Sequence, residues 1–404
     1  MNIMLINHYA GGDKYGMEFR PYYLARNWVK DGHDVTIIGA NFSHLRKRNP
    51  EISKDFEEEY IDGIRYLWVK TNTYKGNNIG RVINVLTMVN KLNFKAKNIA
   101  KQYKPDVVIA SSTYPYDIYP AKKIADEVNA KLFFEIHDLW PLTQIEINGL
   151  SEKNPLVKSL QKAENFCYEN ANVISILPNA DEHIRELGYE NVKYTHIPNG
   201  IVIEQEMLNP PEKIADFLKE LKSEGKFITM YLGGLQSANA LEELIESVNF
   251  LEDDKVIIII GNGVKKQQYI DMVPDNAKHQ IFFLDAISKL AVTKTLELAD
   301  CLYIGAKKIP LYRYGVGMNK IFDYMFSAKP IIFGIQTGDN PIKNSGCGIV
   351  IDAADAKSIS DAINHLANLS EQERAEMGQK GKEYVINNHD YVKLSQDFID
   401  VIKE

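Results

Sequence analysis

Short runs of β-branched residues alternate with longer helical patterns along this chain, and the cycle restarts past its midpoint. Residues 3–6 read as a buried strand, a helix spans about 18–31, and Gly32 is a C-terminal stop. Residues 34–39, 106–110, 131–136 and 172–177 repeat the strand theme. A second series then begins at 227–232 and continues through 256–260, 280–284, 301–304 and 330–333. Strands spaced by helix-length segments predict parallel sheets with crossover helices. Each series opens with a strand and a double glycine, Gly11-Gly12 and Gly233-Gly234, so two similar folds are expected rather than a short-period repeat. A chain of 404 residues exceeds what one core usually holds. The expected division is 1–200, 201–384, and a C-terminal helix over 385–404 that packs back on the N-terminal domain. Residues 198–211, rich in turn residues, are the expected linker.

The formal charge of −7 gives no support for bulk nucleic-acid binding. Cys167, Cys301 and Cys347 are scattered, with neither CxxC nor a Cys/His ligand spacing, so no disulfide framework, no zinc site and a reducing cytoplasm are expected. The opening residues do not read as a signal peptide, and no run approaches the ~20 apolar residues that span a bilayer.

The glycine-rich turn Gly11, Gly12, Gly16 between the first strand and helix permits close backbone approach to a phosphate or a sugar, and reads equally as a tight turn without ligand. It is not the dinucleotide pattern, and strand two ends in Gly39-Ala40-Asn41, where a nicotinamide enzyme needs an acid. His137 and Asp138 follow a predicted strand, where polar side chains face the ligand crevice. His137 suits a sugar hydroxyl or proton transfer, or is a histidine satisfied within the fold. Asp138 also fits a helix cap. The densest site runs from Lys307-Lys308 through Arg313, Gly315, Gly317, Met318, Asn319 and Lys320 to Asp323. Glycines beside a helix start, with Lys320 and Arg313, suit a diphosphate leaving group, and Asp323 one turn on suits two ribose hydroxyls. The bland alternative is a helix with a solvated basic entrance.

With these motifs the chain resembles the retaining glycosyltransferases of family 4, nearly end to end. The resemblance rests on Gly11-Gly12, residues 20–25, residues 32–37, His137-Asp138, Pro198-Asn199-Gly200, residues 261–263, residues 319–325 and Lys329-Pro330. It is similar in particular to bacterial fucosamine or N-acetylhexosamine transferases of surface polysaccharides, through residues 43–46 and 138–141. The resemblance implies the GT-B fold, two Rossmann-like α/β domains facing across a cleft, with no cofactor and no metal. It implies a nucleoside diphosphate sugar donor, UDP-linked, on the C-terminal domain. The acceptor, a saccharide linked to undecaprenyl diphosphate, is expected on the N-terminal domain.

The implied catalytic residues are His137, Lys320 and Arg313. Donor-binding positions are Gly11, Gly12, Gly233, Gly234, Gly263, Gly315, Gly317, Met318, Asn319 and Asp323, and Arg20 and Asp138 lie on the acceptor side. The family carries two glutamates eight positions apart; here the second matches Asp323 and the first matches Gly315. The basic pair common after Gly233-Gly234 is replaced by Gln236, Ser237 and Asn239. A sugar-nucleotide epimerase or hydrolase of the same build, and a non-catalytic nucleotide-sugar-binding subunit, are the rival readings.

Residues 75–104 hold seven basic residues and no acid, with Val82, Val85, Leu86, Met88, Val89 and Leu92 at helical spacing; Arg46-Lys47-Arg48 precede them. A basic amphipathic surface suits peripheral attachment to the inner face of the cell membrane, and a helix packed on its own domain reads the same way.

Overall fold

A computed structural model describes residues 1–76 and 78–404. The chain divides into two compact units. One comprises residues 1–199, 314–317 and 391–404; the other comprises 200–313 and 318–390.

The first unit is built on eight strands: β1 (Asn2–Ile6), β2 (Asp34–Ala40), β3 (Glu57–Ile61), β4 (Ile64–Val69), β5 (Val107–Ala110), β6 (Lys131–Ile136), β7 (Asn172–Ser175) and β8 (Tyr194–His196). Their order is β3-β4-β2-β1-β5-β6-β7-β8, and every pairing except β3 with β4 is parallel. Helices cover both faces of such a sheet, which is why β1, β2 and β5 are near-continuous apolar runs. Helix Phe19–Lys30 stops at Gly32, whose φ of 82° lets the His33 N–H close on Trp28 O at 2.9 Å. The chain winds from β1 to β2 on one side and from β5 to β8 on the other. The crevice between β1 and β5 is therefore the switch point of the sheet.

The C-terminal helix is Tyr391–Lys403 and not 385–404: Val385 belongs to helix Glu371–Asn388, and His389-Asp390 separates the two. The last helix packs on Phe19–Lys30. Trp28 donates to Ser395 O at 3.0 Å, Asn27 to Tyr391 O at 2.9 Å, and the Trp28 and Phe398 rings meet at 5.1 Å.

The second unit holds β9 (Phe227–Leu232), β10 (Lys255–Ile260), β11 (Ile281–Leu284), β12 (Cys301–Gly305), β13 (Ile331–Gly334) and β14 (Gly348–Val350). All are parallel, in the order β11-β10-β9-β12-β13-β14. The switch point lies between β9 and β12. Tyr231, Ile257, Ile259 and Tyr303 from the sheet pack with Leu241, Leu244, Ile359 and Ile363 from the helices as the core.

Candidate active site

At the switch point of the first unit, the residues just past the strands converge on one carboxylate. Glu135, near the end of β6, is fully buried. It accepts from Arg20 Nε at 2.9 Å through Oε1, and through Oε2 from Ser111 Oγ at 2.6 Å and His137 Nε2 at 3.0 Å. Burial alone would raise the Glu135 carboxyl, but the Arg20 guanidinium and His137 hold it well below the usual range. Burial also disfavours the His137 cation, yet Glu135 outweighs it and raises the imidazole above its ordinary value. The His137 ring is thus oriented by its Nε2 face, and Nδ1 is the nitrogen outside this network. Asn7 braces the site by donating to Ser111 O at 2.6 Å. Nearby, the Ser112 N–H donates to Asp117 Oδ2 at 2.9 Å, and burial pushes the Asp117 carboxyl up to about 7.

Arg20, expected on the acceptor side, has a structural role in this network. It is 3% exposed, and its other donors go to Pro198 O and, at 2.8 Å, Ile197 O. Three of its five N–H groups thus hold Glu135 and the end of β8. Asp138 likewise accepts from Thr143 Oγ1 at 2.5 Å and Trp140 Nε1 at 3.0 Å, so it pins the turn into helix Leu142–Glu146. The Gly11 to Gly16 loop folds on itself. Gly16 N donates to Gly12 O at 2.7 Å, and a Cβ on Gly11 would meet Gly16 O at 1.9 Å.

In the second unit the structure brings Lys320 to the Gly233-Gly234 turn. Lys320 Nζ donates to Tyr231 Oη at 3.1 Å and Asn239 Oδ1 at 3.0 Å, and lies 4.8 Å from the Tyr231 ring centroid. Asn239 is fixed by donating to Gly234 O at 2.8 Å. Burial pushes the Lys320 ammonium down to about 8. Gly263 is demanded by packing, since a Cβ there would meet Leu235 O at 2.3 Å; Gly234 meets nothing closer than Gln236 Cγ at 3.7 Å, so its face stays open to a ligand. Met318 and Asn319 lead into helix Lys320–Phe326, and the exposed Asn319 makes no side-chain cap. Asp323 is 7% exposed and ion-paired with Lys289. Arg313 is exposed on the turn Pro310–Tyr314 and donates to Pro310 O at 2.9 Å.

Gly315 and Gly317, expected as donor-binding positions, are required by packing. Both belong to the first unit. A Cβ on Gly315 would lie 2.2 Å from Pro178 Cδ, and one on Gly317 would lie 2.6 Å from Ile176 Cδ1; Gly315 also sits at φ 107°. Asn199 donates to Gly317 O at 3.0 Å and Asn179 N to Tyr314 O at 3.1 Å. The glycines serve close packing on the segment after β7, and the Gly317 carbonyl is occupied.

The basic segment is also reassigned in part. In helix Ile79–Tyr103, Val85, Met88, Val89 and Leu92 are core, whereas Ile79, Ile83, Leu86 and Phe94 are exposed at 78%, 50%, 41% and 85%. Lys91 pairs with Asp55 at 2.7 Å, and Lys97 and Lys101 pair with Glu127 at 3.6 and 3.3 Å. Arg46 is no surface cation: it is buried, donating to Ala40 O at 2.7 Å and Ala10 O at 2.6 Å.

Sequence reasoning missed Asn7, Ser111, Tyr231 and Lys289. Asn7 and Ser111 directly follow β1 and β5, a position that signals the crevice. Lys289 carries no such mark. Among the described residues, no group of three or more His, Cys, Asp or Glu side chains is placed to hold a metal ion. No helix there is long and apolar enough to cross a membrane.

Residues 15–205 match the family model Glycosyltransferase Family 4, and residues 212–384 match Glycosyl transferases group 1. No curated protein matches in sequence. Among solved structures, sucrose-phosphate synthase (tll1590) from Thermosynechococcus elongatus is similar at TM-score 0.72 and 15% identity, covering 99% of this chain and 98% of its own. Anabaena Alr3699/HepE in complex with UDP and glucose is similar at TM-score 0.66 and 13% identity over 100% of both chains. WaaG, a glycosyltransferase involved in lipopolysaccharide biosynthesis, is similar at TM-score 0.67 and 12% identity over 99% of both. The two units thus have the GT-B fold.

Proposed function

The chain belongs to the glycosyltransferases whose two halves match family 4 and group 1, and from that premise we propose that it moves a sugar from a UDP-linked donor to a lipid-linked saccharide, with retention at the anomeric carbon. The sugar is an N-acetylhexosamine or deoxyhexosamine and the product a surface-polysaccharide precursor, by resemblance of sequence. One observation carries the reading: Lys320 is aimed at the Gly233-Gly234 turn, at the switch point of the second sheet, with no carboxylate among its hydrogen-bond partners. A partly desolvated ammonium beside an open glycine turn suits a diphosphate, whose charge grows as the glycosyl bond breaks. UDP bound to HepE supports a uridine nucleotide.

In the reaction the bond between the anomeric carbon and the β-phosphate oxygen breaks, and the acceptor oxygen bonds to that carbon on the same face. The acceptor hydroxyl proton passes to the leaving diphosphate. Lys320 neutralises the diphosphate. His137, held by Glu135, offers Nδ1 to a hydroxyl of the transferred sugar or acceptor. No metal enters this scheme. Asp323 addresses the ribose, beside Lys289. The acceptor lies on the N-terminal unit, whose helix Ile79–Tyr103 rests on the inner face of the cell membrane through Ile79, Ile83, Leu86 and Phe94 with Lys75 and Lys95. The test is UDP release from candidate UDP-sugars with and without a lipid-linked saccharide extract. Release that requires both is expected, with a retained anomer by NMR. Release without acceptor makes the protein a hydrolase, and no release with tight donor binding makes it a binding subunit.

A further inference from the structure

Within the N-terminal unit a groove of about 420 Å³ opens between the first turns of helix Ile79–Tyr103 and helix Pro155–Asn170. That volume falls in the ~300–1,000 Å³ range of small-molecule sites. Its floor is apolar: Val85 and Leu160 are buried, and Val82 and Leu156 are half-buried. Tyr114, from the segment after β5, and Trp140, three residues beyond His137, contribute walls. The groove therefore starts at the same carboxyl ends of strands that carry the Glu135 network.

Three features bear on its occupant. Polar side chains, Asn78, Gln144 and Asn148 with the Tyr116 ring, stand around it, while the floor of Val82, Val85, Leu156 and Leu160 is aliphatic, and saccharide hydroxyls set against that floor would be unpaired and costly. Ile79 lines the groove and is 78% exposed, and it begins the outward stripe Ile79, Ile83, Leu86, Phe94, spaced on one helical face. Arg81 also lines the groove, its guanidinium 5.3 Å from the Tyr9 ring centroid and its Nε donating to Tyr9 Oη at 3.0 Å.

We infer that this groove holds the hydrocarbon chain of a phosphate-linked lipid, with Arg81 facing the phosphate and the apolar stripe guiding the chain in from the bilayer. The inference rests on the lipid-linked acceptor reading and names the part of the protein that grips the lipid. A chain of methylene-sized units matches an apolar floor that continues onto an apolar exposed stripe, and the cation matches the head.

The protein carries its own reporter. Trp28 and Trp68 are sealed at 0% and 1% exposure, whereas Trp140 is half-buried and lines the groove. Full-length protein is titrated with farnesyl phosphate, inorganic phosphate, N-acetylglucosamine 1-phosphate and UDP, by tryptophan fluorescence and by calorimetry. Farnesyl phosphate is expected to change the fluorescence saturably, and inorganic phosphate to leave it unchanged. Trp140→Phe is expected to lose the signal and keep the calorimetric binding. Val82→Glu is expected to weaken farnesyl phosphate at least tenfold, since each buried methylene contributes about fourfold, and to leave UDP binding unchanged. If UDP binds but farnesyl phosphate does not, or binds Val82→Glu equally well, the groove inference falls and the glycosyl-transfer reading stands. An equal response to the sugar phosphate assigns the groove to a saccharide and also overturns it. Absence of UDP binding removes the donor reading independently.

Discussion

Lys320 carries a cost in stability that its proposed role explains, and replacing it exposes both sides. Burial lowers its pKa from 10.5 to about 8. At about 1.36 kcal/mol per unit, the charged form in the folded protein is disfavoured by on the order of 3 kcal/mol. Lys320→Met keeps the volume and removes the charge, at the loss of two hydrogen bonds worth about 0.5–1.5 kcal/mol each. A net gain of up to about 2 kcal/mol in the ligand-free protein at pH 7 is expected. The sign follows from linkage. The folded pKa lies below the unfolded one, so between about pH 8 and 10.5 the unfolded chain binds more protons and wild-type stability climbs toward the variant's; below pH 8 the whole cost is present. Urea midpoints at pH 7 and 9.5 measure this. Turnover moves the other way: losing one preorganised contact to the leaving group costs about 2.7–4 kcal/mol in the transition state, a hundredfold or more. UDP affinity of the wild type should also fall roughly tenfold from pH 7 to 9, as the protonated fraction drops from about nine-tenths to one-tenth. A variant that is less stable at pH 7 yet turns over near normally refutes the reasoning.

His137→Ala is expected to lose most activity with the fold intact, while EDTA leaves the wild type fully active; activity lost to chelator and restored by a divalent ion overturns the metal-free scheme. Glu135→Gln strands the buried Arg20 cation and should cost about 3–5 kcal/mol by urea unfolding. Because the Glu135 carboxyl is held low, the stability it supplies is present above the ordinary carboxylate pKa and is lost as the pH falls below it, so the acid-unfolding midpoint of the wild type marks it. Gly315→Glu, which restores the family's first glutamate, should lower the melting temperature and give no gain in turnover, since Pro178 leaves no room. Binding to anionic but not neutral vesicles, lost at high salt and in Ile83→Ser/Phe94→Ser, is expected in co-sedimentation; equal recovery in the supernatant with both lipids points to a soluble acceptor.

The parallel cores were legible because their strands are short β-branched runs, apolar on both faces and bounded by turn residues, as in residues 256–260 before Gly261. Strand β3 was not, because Glu57–Ile61 is acidic, lies at an edge and buries little. The sign that would have found it is Asp62-Gly63, the two-residue hairpin turn with φ of 51° and 79° that joins β3 to β4. In the candidate site, His137 stood out from its place after a strand and Lys320 from its place at a glycine-flanked helix start. The role of Arg20 was not, since its partner Glu135 is 115 positions away and only tertiary structure pairs them. Helical periodicity pointed to an apolar face over 82–92, yet it cannot tell which apolar residues turn inward. The core took Val85, Met88, Val89 and Leu92 and left Ile79, Ile83, Leu86 and Phe94 outside.

The helix Tyr391–Lys403 lies against Trp28 and Asn27, 364 positions away along the chain from Tyr391 to Asn27. A ribosome delivers these partners more than 360 residues apart. Until residues 391–403 emerge, the first helix waits with an indole and an amide uncovered, although the sheet behind it has had all its strands since residue 196. The first unit is thus completed only after the residues of the second have been made. Cutting the gene at its midpoint would yield a fragment with an exposed aromatic face, and expressing residues 1–200 together with 391–404 as a separate peptide should recover what the cut removes.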